Sequence, residues 1–239
     1  MSTTLYMMKM IKFGEIENGR YERKFFIEEL SREKVESIIK DHPAMFFSIF
    51  YKRTVNNLYL DTPDLSEYRK SVDGNSQRIK IRIRWYGDLF GQVKQPVLEI
   101  KIKSNNLGDK ISFPLKGFEI KKNFDYAILK KALDNSQLPE WVDTIVKQMV
   151  PILLNSYQRS YFQSANKCYR ITVDDNQIFY SVGKINNTFS HSIKDKKNVI
   201  LEIKYKDKEE NKINKISQHI PFRMTKHSKY VYGVNLIYG

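Results

Sequence analysis

Cysteine is almost missing from this chain: Cys168 is the only one in 239 residues. That excludes an intramolecular disulfide framework and any zinc site built on several cysteines. Histidine is nearly as scarce, and His42, His191, His219 and His227 are scattered with no pair at metal-ligand spacing. Long apolar runs are missing too, since the longest, AMFFSIFY, is far too short to cross a bilayer. The opening residues, MSTTLYMMKMIKFGE, lack the basic stretch and apolar core of a secretory signal. No linker rich in Pro, Gly or Ser divides the chain, and no low-complexity tract stands out. These absences lead to the expectation of a soluble protein in a reducing, cytoplasmic compartment, folded as a single domain over residues 1–239.

Acid is also in short supply, with 27 Asp and Glu against 41 Lys and Arg, giving a net charge of +14. So basic a balance points to a polyanionic partner: nucleic acid, an acidic membrane surface or phosphate-rich small molecules. Part of the excess is compositional, because Lys, Asn and Ile are abundant throughout. The apolar fraction, 41% with 13% aromatics, suffices for a sizeable core.

Along the chain, GRYERKFFIEEL reads as a strand ending near Ile27. SREKVESIIKDHP reads as a helix capped by Ser31, with Val35, Ile38 and Ile39 on one face and Pro43 as its stop. RTVNNLYLDTPD gives a strand from Val55 to Leu60 and a helix start at Thr62 and Pro63, closed by Gly74. Residues 87–95 connect the strands RIKIRIRWYG and QPVLEIKIKS. NFDYAILKKALDN and PEWVDTIVKQMVPILLNSYQRSYF carry helical spacing, the second broken or kinked at Pro151, and alternation returns from about Tyr157. NKINKISQHIP reads as a further helix, and the whole as α+β with many antiparallel strands.

The charged faces of these strands are unusual. Lys80, Arg82 and Arg84 share one face of their strand, with Ile79, Ile81, Ile83 and Trp85 on the other. Glu99, Lys101 and Lys103 share a face, as do Glu202 and Lys204, in the near-repeats VLEIKIK and ILEIKYK. For any one strand a wet polar face is the simpler reading. Summed over strands, the repeated bases imply mutual repulsion that an anionic ligand would offset. Arginine grips phosphate oxygens with its planar fork, and isolated glutamates beside phosphates suit Mg²⁺ or Mn²⁺. Nucleic acid alone would explain the bases but not the glutamates, so it is not expected as the partner.

The ordered segments YERKF, NNLYLDTPDLSEY, RIKIRIRWYG, LEIKIK, YQRSYF, RITVD, LEIKY and HSKY resemble the VTC-type (vacuolar transporter chaperone) polyphosphate polymerase domain. That family belongs to the triphosphate tunnel metalloenzyme superfamily, with the CYTH proteins. The resemblance runs from about Arg20 to about Tyr232. It implies an eight-stranded antiparallel β-barrel tunnel with a charged interior and helices packed outside. It further implies transfer of the γ-phosphate of ATP to a growing polyphosphate chain, with Mn²⁺ or Mg²⁺ in the tunnel.

Carried over motif by motif, Lys24, Arg82, Arg84, Lys101, Arg159, Arg170 and Lys229 are implied as phosphate-binding catalytic residues. Lys70, Lys80 and Lys204 are implied as further substrate-binding residues, and Glu202 and Glu99 as metal ligands. CYTH enzymes open with E-x-E-x-K, whereas this frame reads Arg20-x-Glu22-x-Lys24, which favours the VTC branch. A tunnel-fold triphosphatase acting on inorganic triphosphate or nucleotides, and a non-catalytic polyphosphate-binding module, are the alternatives. Tyr59, Tyr68, Tyr86, Tyr157 and Tyr161 read as structural packing.

Overall fold

Alternation of apolar and charged residues becomes two-sidedness in three dimensions. The computed structural model describes residues 20–104 and 107–239, with Leu107 given by its backbone alone. The N-terminal stretch read for a secretion signal lies outside the described residues. The strands are β1 (Arg20–Ile27), β2 (Phe47–Asp61), β3 (Gln77–Tyr86), β4 (Gly91–Val93), β5 (Val97–Ser104) and β6 (Leu107–Pro114). They continue with β7 (Phe118–Ile120), β8 (Val150–Gln163), β9 (Arg170–Ser181), β10 (Ser192–Asp195) and β11 (Val199–Lys206). The helices are α1 (Arg32–Lys40), α2 (Ser66–Val72), α3 (Tyr126–Asp134), α4 (Glu140–Val146), α5 (Ile213–Ser217) and α6 (Lys229–Tyr238).

Eight strands close into a ring in the order β9-β11-β1-β6-β5-β3-β2-β8, with β8 pairing back onto β9. β10 extends β9 beyond its pairing with β11, and β4 and β7 form a small separate ribbon. Among the described residues, β1 and β6 meet at one pair, Arg20 opposite Gly108. Further along, the edge of β1 is taken by the segment before α6: Thr225 N–H donates to the Lys24 carbonyl at 2.7 Å, and Phe26 N–H to Thr225 Oγ1 at 2.9 Å.

The outward faces are apolar and covered. Ile79, Ile81, Ile83 and Trp85 of β3 join Leu98, Ile100 and Ile102 of β5 under Leu129, Leu133, Val142 and Ile145 of α3 and α4. Phe25, Leu201, Ile203, Ile171 and Val173 pack under Val35 and Ile39 of α1 and Ile213 and Ile216 of α5. Each such buried aliphatic side chain contributes roughly 1.5–3 kcal/mol by leaving water. With both apolar faces committed to helices, the charged faces turn inward.

Local signals hold at several boundaries. Ser31 caps α1, its hydroxyl accepting from Lys34 N–H at 3.4 Å, and Gly74 at φ 73° closes α2 with a backbone open to glycine. The start of α2 is corrected from Thr62–Pro63 to Ser66, because Thr62 Oγ1 instead accepts from Ser66 N–H and acts before the helix. β2 begins at Phe47 rather than Val55. The larger correction is β8, which starts at Val150, so PILLNSY is strand rather than helix. Leu153, Leu154, Asn155, Ser156 and Tyr157 are all buried, because both faces of β8 are covered. A strand hidden on both sides has no apolar–polar alternation to read. Pro151 is accommodated at a register irregularity between β2 and β8, where a missing N–H is tolerated.

Candidate active site

Cross-strand register builds the interior in rows. Lys24 of β1 lies opposite Glu202 of β11, which lies opposite Thr172 of β9, which lies opposite Tyr161 of β8. Glu22 lies opposite Lys204, and Lys204 opposite Arg170. On the other wall Lys80, Lys101 and Lys110 stand side by side across β3, β5 and β6. Arg82 faces Glu99, and Arg84 faces Asn57. The predicted interior set is thereby brought together from strands far apart in sequence.

The acids in this set are organised by bases. Asp174, fully buried, accepts from Arg159 Nε and Nη2 at 2.5 and 2.6 Å and from Lys229 Nζ at 2.5 Å. Burial pushes its carboxyl up, but Arg159 and Lys229 outweigh that and hold it below the usual range. Glu99 accepts from Arg82 Nε and Nη2 at 2.8 and 2.6 Å through Oε2, and from Lys110 Nζ at 2.5 Å through Oε1. Against its burial, Arg82, Arg84 and Lys110 hold it well below the usual carboxylate range. Arg84 donates to Asn57 Oδ1 at 2.9 Å and to the Tyr157 hydroxyl at 3.2 Å.

Glu22 and Glu202 are held differently. Glu22 accepts from Lys101 at 2.7 and 2.8 Å and lies 3.5 Å from Lys24 and 3.6 Å from Lys204. Burial and the neighbouring Glu202 push Glu22 up, yet Lys101, Lys24 and Lys204 bring it down to about 2. Glu202 has an ion pair with Lys204 at 3.1 Å, and despite burial the surrounding lysines hold it well below the usual range. Directly across from Glu202, the buried Thr172 Oγ1 has no hydrogen-bond partner among the described residues.

The bases outnumber the acids, and the excess falls on the lysine row. Among the described residues Lys80 pairs with no acid; its ammonium donates to Ser228 Oγ at 2.7 Å. Burial, with Lys24 and Lys101 nearby, pushes it well below an ordinary lysine. Lys101 is pushed down to about 8, by burial first and by Lys24 and Lys204, although Glu22 and Glu202 oppose the shift. Clustered bases short of counter-charge suit several phosphate oxygens at once.

One end of the ring is closed by α6. Its Tyr230 and Val234 pack on Tyr59, Leu153 and Phe179, which line that end of the interior. Its N-terminus, capped by Ser228, brings Lys229 to Asp174, and the preceding His227 carbonyl accepts from Lys24 at 3.3 Å. Gly233 is required by this approach, since a Cβ there would lie 2.5 Å from the Phe179 ring and 2.6 Å from Leu153. At the other end, Arg170 is exposed at the first position of β9, opposite Lys204.

Lys70 does not join the cluster. It is paired on α2 with Glu67, which accepts from the Ile79 N–H at 3.1 Å and so supports the start of β3. Sequence reading passed over three interior groups. Alternation in RITVD put Asp174 on one face with Arg170 and Thr172 but gave no sign of its partners. Glu22 was noted only for its frame. Tyr157 is corrected from packing to interior: its ring carries Arg159 at 5.2 Å and Lys229 at 4.7 Å.

As a test for a hard cation, the donor set offers Glu202, the adjacent Glu22 and the unpartnered Thr172 hydroxyl, all oxygen ligands of the kind Mg²⁺ and Mn²⁺ take. Among the described residues no group of three or more His, Cys, Asp or Glu converges as a self-sufficient site. The residues therefore fit a cation shared with substrate oxygens, as such ions are held beside phosphates.

A closed antiparallel ring with a basic, acid-studded interior and helices outside defines a tunnel fold. Residues 19–238 match the VTC domain, and the chain belongs to that family. Among solved structures it is similar to a candidate adenylate cyclase of Vibrio parahaemolyticus, with a TM-score of 0.50 and 10% identity over 89% of this chain and 97% of that one. It is also similar to a candidate adenylyl cyclase of Hippeastrum with a dominant triphosphatase activity, with a TM-score of 0.49 and 13% identity over 90% of this chain and 96% of that one. At 10% identity the first of these likenesses concerns the fold alone. No curated protein matches the chain.

Proposed function

We propose that the ring interior binds a chain of phosphates and that the protein is an ATP-dependent polyphosphate polymerase. The observation that carries this reading is the convergence of Arg82, Arg84, Lys101, Arg159 and Lys229 on one interior, with Lys80 facing no carboxylate among the described residues. Membership of the VTC domain family supports it.

In this reading the arginines and Lys24, Lys80, Lys101 and Lys229 hold the triphosphate of ATP and the end of the polymer in line. Asp174 positions Arg159 and Lys229, and Glu99 positions Arg82; because cations engage both its oxygens, we assign Glu99 to that task rather than to a metal. A Mn²⁺ or Mg²⁺ ion held by Glu202, with Glu22 and Thr172 beside it, supplies charge neutralisation to phosphate oxygens when bound. A terminal phosphate oxygen of the polymer attacks the γ-phosphorus, the β–γ bridging bond breaks, and ADP leaves. No side-chain nucleophile is needed, since positioning and electrostatics suffice for phosphoryl transfer. Closure of one end by α6 limits water as a competing acceptor. Arg170 and Lys204 lie towards the open end, where they guide the incoming polyanion. The same basic interior, in a chain of net charge +14, admits inorganic triphosphate as a ligand.

Purified protein incubated with ATP and Mn²⁺ tests the assignment. The expected products are ADP and a long anionic polymer on a gel, and orthophosphate alone would replace the polymerase by a triphosphatase. Arg82→Ala and Glu202→Ala should each lower kcat by about 10²-fold or more, with near-ultraviolet circular dichroism unchanged. Full activity in both variants would overturn the site.

A further inference from the structure

The open end of the ring carries a cluster that phosphate binding does not use. Phe50 and Tyr86 are large aromatics left 48% and 53% exposed. Between them lies Arg53, whose guanidinium carbon sits 4.5 Å from the Phe50 ring centre and 5.6 Å from those of Tyr86 and Tyr161. Among the described residues Arg53 has no acidic partner. Register irregularities between β2 and β8 bracket Phe50, and bulges of this kind re-aim side chains.

The cluster is continuous with the phosphate site. Arg53 lies opposite Arg159 in the β2–β8 register, and the Arg159 guanidinium carbon is 6.0 Å from the Tyr161 ring centre. Tyr161 in turn meets Phe50 edge to face at 5.5 Å between centres. A ligand with phosphates on Arg159 and Arg84 would thus carry its next group into a collar of planar faces around an unpaired guanidinium. Flat, polarisable rings satisfy such a collar; a plain phosphate chain leaves its aromatic faces in water.

We propose that Phe50, Arg53, Tyr86 and Tyr161 form a stacking subsite for the base of a nucleoside triphosphate whose phosphates occupy the ring interior. The inference rests on the phosphate reading of the interior and adds to it the recognition of the donor. Because the collar presents faces rather than a set of hydrogen-bonding edges, it takes adenine and guanine nearly alike.

The test is equilibrium binding of the full chain at fixed ionic strength without added metal, with ATP, GTP and inorganic triphosphate as ligands. Phe50→Ala, Tyr86→Ala and the charge-preserving Arg53→Lys should each weaken ATP and GTP by about tenfold, the scale of one lost base stack. Inorganic triphosphate should bind all variants as it binds the parent. Equal weakening of all three ligands, or no change in any, would overturn the base subsite while leaving the phosphate site intact. Failure of the parent protein to bind any of the three would overturn the phosphate reading and this inference together. Phe50 and Tyr86 are about half exposed, so unchanged unfolding midpoints are expected and serve as the folding control.

Discussion

At the scale of the residue, the interior is a balance between burial and counter-charge. Asp174 and Glu99 are ionised because arginine and lysine surround them, not because water does. Lys101 shows the opposite tension. Its ammonium is charged in the unfolded chain up to about pH 10.4, but in the fold burial and Lys24 lower that limit to about 8. Below about pH 8 both states carry the proton and the fold bears the whole cost of the buried charge. Between there and the unfolded value the unfolded chain binds more protons, so stability rises with pH. The ligand-free protein should therefore be more resistant to urea at pH 9 than at pH 7. Triphosphate affinity should fall over the same interval, as Lys101 loses the charge that attracts it. Titrations of the urea midpoint and of triphosphate binding across this range check both signs.

At the scale of the element, α6 joins two functions in ten residues. Its first residue, Lys229, reaches Asp174, while its body seals one end of the ring against Tyr59, Leu153 and Phe179. The helix can lie so close only because position 233 has no side chain. Gly233→Ala should overpack this contact and cost about 1–3 kcal/mol, seen as a lower urea midpoint with an unchanged slope. Because the same shift moves Ser228 and Lys229, phosphate affinity should fall with it. Elements with one covered face, such as β3 and α1, were legible from periodicity alone. The first half of β8 was not, because its inward face mixes Leu153, Asn155 and Tyr157 and its outward face is also covered, so no contrast remained there along the sequence.

At the scale of the whole molecule, a ring with two external apolar cores and a charged interior ties distant segments into one unit. β1 pairs with β11, and β2 with β8, so the first and last strands of the ring depend on each other. A single cooperative unfolding transition is expected, with equal calorimetric and van't Hoff enthalpies. Millimolar inorganic triphosphate should raise its midpoint more than chloride at the same ionic strength, because bound phosphates relieve repulsion that chloride only screens. Two separate transitions would argue against the single-domain reading of residues 1–239.

The sequence by itself determined which side chains share a face. Period two placed Lys80, Arg82 and Arg84 together and set Glu202 beside Lys204, and the order of motifs pointed to the family before any strand was paired. Periodicity left open which face looked inward, which only the family resemblance implied, and nothing in the sequence said which charges met. Asp174 and Arg159 lie on neighbouring strands, Lys24 and Glu202 are separated by most of the chain, and Lys229 arrives on the last helix. Closure of the ring decided those pairings. Helices on both apolar surfaces leave the charged faces no other place to go, and only that closure sets their distances.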